Sequence, residues 1–195
     1  MSSPIKLNLK VYQGSTFKQV LRWEASTKVY VPITNITKSA PVVITAPNHG
    51  IPLGWRARVT NAGGMKEINS TDYSTVTNTT TDTVTFNQVN SLAYTAYTSG
   101  GVLEYNAPIV LLPYTARMQI REKLTSDTVL ATLTTSNGGI TFDNTYKTIT
   151  LTMSDTITSA FNFTTAVYSL EFINSSQEVM TFATGSITLQ KEVTR

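Results

Sequence analysis

The chain has 195 residues, a formal net charge of +3, a charged fraction of 14% and no cysteine. The lack of cysteine excludes disulfide bonds, thiolate nucleophiles and zinc sites that use cysteine. The 15 Lys and Arg residues are scattered, which argues against a nucleic-acid surface, and no run of ~18 apolar residues predicts a membrane span. Threonine supplies 35 residues, and because it is β-branched and suits a pleated, half-exposed surface, the composition predicts an all-β protein.

Polar and apolar residues alternate at both ends of the chain, which is the pattern of strands with one buried face. Before residue 37 the alternating apolar positions are Ile5, Leu7, Leu9, Val11, Phe17, Leu21 and Trp23. After residue 106 they are Ala116, Met118, Ile120, Ile149, Leu151, Met153, Tyr168, Leu170, Phe172, Ile187, Leu189 and Val193. Turn clusters separate these short runs, so the pattern predicts a β-sandwich. The residues expected to share its core are Trp23, Met118, Leu151, Leu170 and Phe172.

The middle third of the chain has a different texture, with weaker alternation and many Thr, Asn, Gly and Tyr residues. Alternation resumes after it. An insertion costs a host domain little when the two ends of the insertion lie close together. We therefore predict a small domain over residues 37–106, inserted into one split β-sandwich that comprises residues 1–36 and 107–195.

One short segment after the insertion has the features of a helical turn. Ser154 or Asp155 is a suitable N-cap for it. Ile157 and Phe161 are four residues apart, and we expect both to point towards the core. The segment is too short to be stable alone and is predicted to connect two strands.

The sequence offers few groups for catalysis. His49 is the one histidine of the chain, so a Ser-His-Asp triad or an imidazole metal site would depend on it. It lies in the turn Pro47-Asn48-His49-Gly50-Ile51-Pro52, where we expect its side chain to bond to the backbone. The 12 acidic residues are scattered, and the glycine runs match no phosphate-binding motif. We therefore predict no enzyme activity, no cofactor and no metal site.

Six residues are candidates for contacts with other proteins, namely Arg117, Arg121, Thr188, Gln190, Tyr94 and Tyr97. Arg117 and Arg121 fall on the polar face of one predicted strand, with Gln119 between them. Two uses are open for these arginines. They suit cross-strand pairing with a carboxylate such as Glu171, and they suit docking to an acidic neighbouring subunit.

The other four candidates come from an edge strand and from the insert. Thr188 and Gln190 lie in residues 187–193, which we expect to form a weakly protected edge strand. Tyr94 and Tyr97 add to the aromatic density of the insert, as do Tyr73, Tyr105 and Trp55. Aromatic residues of this kind serve core and interface packing, and the alternative use is stacking on host glycans.

The insert resembles a known small β-barrel module. The stretches that carry the resemblance are Val43-Ile44-Thr45-Ala46-Pro47-Asn48-His49-Gly50, Leu53-Gly54, Gly63-Gly64-Met65, Ile68-Asn69, Tyr73 and Tyr94-Thr95-Ala96-Tyr97-Thr98-Ser99-Gly100-Gly101. Over about residues 40–103 they are similar to the module named after the first catalytic cysteine half-domain of ubiquitin-activating enzyme. That module has no catalytic cysteine of its own, and it recurs as a spacer or interaction domain in phage particle proteins.

The flanking segments resemble a second family, the immunoglobulin-like β-sandwich of phage tail and baseplate proteins. The stretches that carry this resemblance are Tyr12-Gln13-Gly14-Ser15-Thr16-Phe17, Leu21-Arg22-Trp23, Tyr114-Thr115-Ala116-Arg117-Met118-Gln119-Ile120-Arg121, Gly139-Ile140-Thr141-Phe142-Asp143, Tyr168-Ser169-Leu170-Glu171-Phe172 and residues 185–195. Members of the family usually have Tyr-Asp-Leu where this chain has Tyr168-Ser169-Leu170. The departure falls at a position expected to face the surface.

Together the two resemblances imply an all-β fold, a split immunoglobulin-like β-sandwich with a small β-barrel domain inserted. They imply a structural protein of a tailed phage virion, made in the host cytoplasm and acting as a tail, baseplate or fibre/tailspike adaptor subunit. The expected partners are other virion proteins, with multiple copies in a symmetric ring, and no nucleic acid or membrane. The alternatives are a capsid decoration protein and a module on the virion surface that binds host glycans.

Overall fold

The computed structural model describes residues 4–192 and is almost entirely β-structure, which confirms the all-β class. Its strands in chain order are β1 (Ile5–Lys6), β2 (Leu9–Tyr12), β3 (Phe17–Arg22), β4 (Glu24–Pro32), β5 (Asn35–Ile36), β6 (Val42–Thr45), β7 (Arg56–Gly63), β8 (Ser74–Thr75), β9 (Asn78–Thr79), β10 (Thr83–Phe86), β11 (Ser99–Pro108), β12 (Thr115–Arg121), β13 (Ala131–Thr134), β14 (Ile140–Asp143), β15 (Thr148–Met153), β16 (Thr165–Ile173) and β17 (Val179–Gln190). Two helical turns accompany them, a 3-10 turn at Lys66–Ile68 and α1 at Asp155–Ser159.

The described chain divides into two compact units. Residues 4–22, 110–144 and 148–192 belong to the first unit, and Trp23–Ile109 with Thr145–Lys147 belong to the second. The second unit therefore begins at Trp23, whereas the sequence predicted an insert that starts at residue 37. The reason is strand pairing, because β4 pairs along its length with β11 and so belongs to the second unit.

The first unit is a sandwich of two sheets. One sheet has the strand order β1-β17-β16-β12-β13, with β2 also paired to β17, and the other has the order β14-β15-β3. The alternating apolar residues of both sheets face inward. Phe142 of β14 stacks on Phe172 of β16 with ring centroids 5.5 Å apart, which joins the two layers.

The predicted core of this sandwich is confirmed at four positions and wrong at one. Met118, Leu151, Leu170 and Phe172 are each 0% exposed. Trp23 is partly exposed and is the first residue of the second unit. The strand that carries Phe17 and Leu21 ends at Arg22, so the alternation that appeared to reach Trp23 crosses a boundary between units.

The terminal strands correct the prediction of an edge at residues 187–193. β2 pairs in parallel with β17, and this pairing places Lys10 opposite Thr188 and Tyr12 opposite Gln190. Thr188 and Gln190 therefore lie inside the sheet. The sequence could not show this because parallel pairing joins segments far apart in the chain. The predicted position Val193 lies outside the described residues.

The second unit has two four-stranded sheets, β5-β6-β10-β9 and β4-β11-β7-β8. Both contribute to one core, whose largest members include Trp55, Phe86, Ile44, Leu103 and Met65. Among the described residues the strand pairing leaves the two sheets open at their edges. The closed barrel implied by the resemblance is therefore absent from this part of the chain.

The helical turn predicted after the insertion forms, with one misassigned residue. The Ser154 side chain accepts a hydrogen bond from the Ile157 N–H at 3.3 Å, so Ser154 is the N-cap of α1. Phe161 is buried as expected, but Ile157 is 40% exposed. Thr158 takes the inward position, where its hydroxyl donates to the Ser15 carbonyl oxygen at 2.8 Å.

Candidate interaction surface

The outer face of the six-stranded sheet carries the two arginines that the sequence singled out. In β12, Ala116, Met118 and Ile120 point into the core, so Arg117 and Arg121 lie on the opposite face. The same alternation places Val167, Ser169 and Glu171 of β16 on this outer face. The pleat of two neighbouring strands thus brings these side chains, all but Val167 polar, to one surface.

Arg117 forms the predicted ion pair. It lies directly opposite Glu171, and its Nε donates to Glu171 Oε2 at 2.7 Å. Half of the Arg117 side chain is exposed. A solvent-exposed pair of this kind contributes roughly 0.2–1 kcal/mol to stability, so a partner could compete for Arg117 at little cost to the fold.

Arg121 organises the loop that follows its own strand. Its Nη1 donates to the carbonyl oxygens of Ser126 at 2.7 Å and Asp127 at 2.8 Å, and its Nη2 donates to Gln119 Oε1 at 3.1 Å. These bonds hold residues 122–130 beside the outer face. Leu124 projects from this loop with 89% of its surface exposed.

A trough of about 700 Å³ lies between this loop and the N-terminal strand. The residues that line it are Pro4, Lys6, Gln119, Arg121, Leu124, Val167, Tyr168, Ser169, Thr181, Thr184 and Gly185. Of these lining residues two are cationic and none is acidic. The trough can therefore take an apolar group together with an anionic one.

Gln119 and Ser169 continue the surface beyond the trough. They also line a polar hollow of about 310 Å³, whose other lining residues are Arg117 and Glu171. The structure therefore brings Arg117 and Arg121 onto one surface. Thr188 is exposed in β17 but does not line the trough, and Gln190 is partly buried near the end of that strand.

Tyr94 and Tyr97, which were predicted to contact other proteins, make packing and hydrogen-bond contacts within the second unit. The Tyr97 hydroxyl donates to the carbonyl oxygens of Ile33 and Gly100, at 3.0 and 2.9 Å. Tyr94 packs against the core of the unit and lines a cavity of about 170 Å³. Both side chains are partly buried, so their main role here is packing.

Two other aromatic residues considered for glycan stacking also belong to the core of the second unit. Trp55 is 0% exposed and Tyr105 is 5% exposed. Trp55 Nε1 donates to the Asn106 carbonyl oxygen at 2.9 Å, and the Tyr105 hydroxyl donates to the His49 carbonyl oxygen. Neither ring can stack on a sugar without unfolding the unit.

A charged cluster in the second unit had no signal in the sequence. Glu104 of β11 is only 4% exposed, although it alternates with the core residues Leu103 and Tyr105 and so lies on the opposite face of its sheet. It accepts hydrogen bonds from Lys28 Nζ at 2.5 Å, from Arg58 Nη2 at 2.8 Å and from the Tyr73 hydroxyl at 3.2 Å. The bond from Lys28, together with those from Arg58 and Tyr73, lowers the pKa of Glu104. Because four strands or loops supply these groups, only the folded chain brings them together.

His49 has the structural role that its turn predicted. It is 2% exposed, its Nδ1 accepts from the Ile51 N–H at 3.0 Å, and its Nε2 lies 3.2 Å from the Thr83 carbonyl oxygen. These contacts define a neutral ring that carries its proton on Nε2. Burial lowers the pKa of His49, which keeps the ring neutral.

Two further observations concern metals and membranes. Residues 4–192 contain no group of three or more His, Asp or Glu side chains arranged to hold a metal ion. Of the helices in the described part of the chain, none is long and apolar enough to cross a membrane.

Comparison with known proteins gave no family model that matches this chain and no curated protein that matches it.

Proposed function

We propose that this chain is a structural subunit of a tailed phage particle and acts through protein–protein contacts. Its place would be the tail, the baseplate or the attachment of a fibre or tailspike, in several copies around a symmetric ring. The kind of assembly comes from the two sequence resemblances. The contact surface comes from the outer face of the six-stranded sheet.

The trough on that face is the observation that carries the proposal. Leu124 exposes 89% of its surface at the trough, beside the cations Lys6 and Arg121. An exposed leucine between two cations can supply the apolar centre of an interface, with the cations at its polar rim. Arg121 holds the loop of Leu124 in place, so the surface is formed before a partner binds.

The position of the protein in purified particles tests the proposal directly. Heads and tails are separated, and the copies of the protein per particle are counted in each fraction by quantitative mass spectrometry. We expect the protein in the tail fraction, in a fixed ratio to other tail proteins. Its presence in emptied heads would favour the decoration alternative, and its absence from both would overturn the proposal.

The trough itself is tested with Leu124→Glu. Because Leu124 is 89% exposed, this change should leave the melting temperature unchanged but reduce incorporation of the protein into particles. Leu112→Glu is the matched control, since Leu112 is 78% exposed in the same unit and does not line the trough. Blots of particles from complemented phage measure incorporation. Equal incorporation of both variants would exclude the trough as the contact.

The glycan-binding alternative has a separate test. Purified host polysaccharide is titrated into the isolated protein, and binding is followed by calorimetry. Saturable binding would place the function on the virion surface and would contradict the connector role. We expect no heat of binding, because Trp55 and Tyr105 are committed to the core.

A further inference from the structure

The first unit has sheet edges that are protected to different degrees. At β13, the last strand of the six-stranded sheet, Asn137 bonds to the exposed backbone. Its Nδ2 donates to the Thr132 carbonyl oxygen at 2.9 Å, and its Oδ1 accepts from the Thr134 N–H at 2.8 Å. The side-chain amide occupies the positions that an added strand would use. This edge is closed to a partner.

β3 ends the three-stranded sheet and has β15 as its neighbour on one side only. The Thr152 N–H of β15 donates to the Gly139 carbonyl oxygen, on the side of β14. Because the backbone groups of successive strand residues point to opposite sides, those of Leu151 point to β3, where its partner is Gln19. The backbone groups of Gln19 therefore point towards β15. Those of Lys18 and Val20 point away, to the free edge.

By the same alternation the backbone groups of Arg22 also face the free edge. The N–H groups of Lys18, Val20 and Arg22 face away from β15, and they donate to no other residue in the described part of the chain. The Val20 carbonyl oxygen accepts from Gln19 Nε2 at 3.1 Å, in an exposed position. All three side chains are exposed, and Val20 is 44% exposed.

The charge of β3 indicates what kind of strand would bind. The strand has the cations Lys18 and Arg22, two positions either side of Val20, and no acidic residue. If a second copy of β3 paired with it about a twofold axis at Val20, Lys18 would face Arg22 in both directions. Like charges directly opposite each other destabilise a sheet. A second copy is therefore disfavoured, and an acidic strand is favoured.

We propose that the free edge of β3 binds an extended acidic segment of a neighbouring protein as a fourth strand of the three-stranded sheet. Backbone hydrogen bonds to Lys18, Val20 and Arg22 give the affinity, and at the Val20 carbonyl oxygen the partner N–H replaces the exposed Gln19 amide. Partner carboxylates opposite the two cations give the register. An apolar partner residue faces Val20. That the neighbour is a virion protein rests on the proposed function, whereas the strand addition itself does not.

A pair of short peptides tests the edge without knowledge of the natural partner. The probes are the capped peptide Glu-Leu-Val-Leu-Glu and its charge-reversed counterpart Lys-Leu-Val-Leu-Lys, titrated into the full-length ¹⁵N-labelled protein. We expect saturable amide shifts in residues 17–22 with the acidic peptide and smaller shifts with the basic one. Equal responses to the two peptides, or no shifts in 17–22, would overturn the inference. Concentration-dependent dimerisation through β3 would also overturn it.

Reversal of the two β3 charges in the protein tests whether these cations recognise the acidic peptide. Lys18→Glu with Arg22→Glu should weaken binding of the acidic peptide by about threefold to tenfold, since two exposed ion pairs are lost, and should strengthen binding of the basic peptide. Lys123→Glu with Lys191→Glu is the matched control, because it changes the net charge equally at exposed positions outside β3. Equal effects of the two double variants would refute strand-specific recognition.

Val20→Pro provides a test that does not depend on charge. Because the Val20 N–H faces the free edge, proline removes a donor for the partner without removing a bond to β15. A variant with an unchanged cooperative melt that binds the acidic peptide normally would contradict strand addition. The particle-fraction experiment stays independent, so a failure at β3 is distinguishable from a failure of the proposed function.

Discussion

Tyr168 shows how a single buried polar group is accommodated in the first unit. It is 5% exposed, and its hydroxyl donates to the Leu7 carbonyl oxygen at 2.6 Å. Burial raises the pKa of Tyr168 to about 12, whereas an exposed tyrosine titrates near ~10. The residue thus joins β16 to the segment between β1 and β2, and it does so only while protonated.

The raised pKa of Tyr168 predicts a loss of stability at alkaline pH. Because the folded pKa is higher than the unfolded one, the contribution of Tyr168 is fully present below pH ~10 and is lost as pH rises through about 12. Tyr168→Phe should lower the free energy of unfolding by about 1 kcal/mol at neutral pH and flatten its decline above pH ~10. Denaturant titrations at pH 8 and pH 11 measure both effects. A variant with the same alkaline decline as the wild type would show that other groups cause it.

His49 and Glu104 illustrate why residue type alone is a poor guide to a role. The turn around His49 was visible in the sequence, and its bond to the Ile51 N–H follows from that local geometry. Glu104 had no local signal. Its partners Lys28, Arg58 and Tyr73 come from distant parts of the chain, so their contact exists only after strands β4, β7 and β11 pair.

At the scale of elements, the Asn137 side chain occupies the backbone hydrogen-bonding groups at the outer edge of β13. It follows β13 in a turn and bonds back to both Thr132 and Thr134. The run Ser136-Asn137-Gly138-Gly139 predicts a turn from the sequence alone. It does not show that the Asn137 side chain blocks an edge strand. The edge position of β13 depends on its pairing with β12.

Removal of this cap should open the β13 edge. Asn137→Ala removes these two bonds and the bond that Oδ1 accepts from the Gly139 N–H at 2.9 Å. The change should cost about 1–2 kcal/mol and promote self-association through the exposed Thr132 and Thr134 backbone. Sedimentation velocity at increasing concentration checks the association. Asn137→Asp is the control, because it keeps the acceptor for the Thr134 N–H and loses only the donor. If both variants remain monomeric, Asn137 does not protect the edge.

At the scale of the whole molecule, the long segment of the second unit begins and ends at residues that are hydrogen-bonded to each other. The Ile109 N–H donates to the Trp23 carbonyl oxygen at 3.0 Å, so the two ends of the main segment of this unit, Trp23–Ile109, are in contact. Ends this close allow a short linker to replace the unit at little entropic cost. Both sheets of the first unit consist of strands outside Trp23–Ile109.

Two excisions with different boundaries test this organisation. Replacement of Trp23–Ile109 by a short Gly/Ser linker should leave a first unit with β-type circular dichroism and a cooperative melt. Replacement of residues 37–106 should instead deprive β4 of most of β11, which exposes Val29 and Val31 and favours aggregation. If the two shortened proteins have the same circular dichroism and the same melt, β11 is not needed to keep β4 folded, and the boundary at Trp23 is wrong.

The sequence by itself determined the all-β class, the inward face of β12, β15 and β16 and the presence of a capped turn near Ser154. Each depends on alternation or on capping within a few residues, and these are local properties of the chain. Only the tertiary structure decided where the second unit begins, which strands are edges and which groups surround Glu104. Those features depend on pairing between segments far apart in sequence, such as β2 with β17 and β4 with β11, and such pairing leaves no periodic trace in either partner.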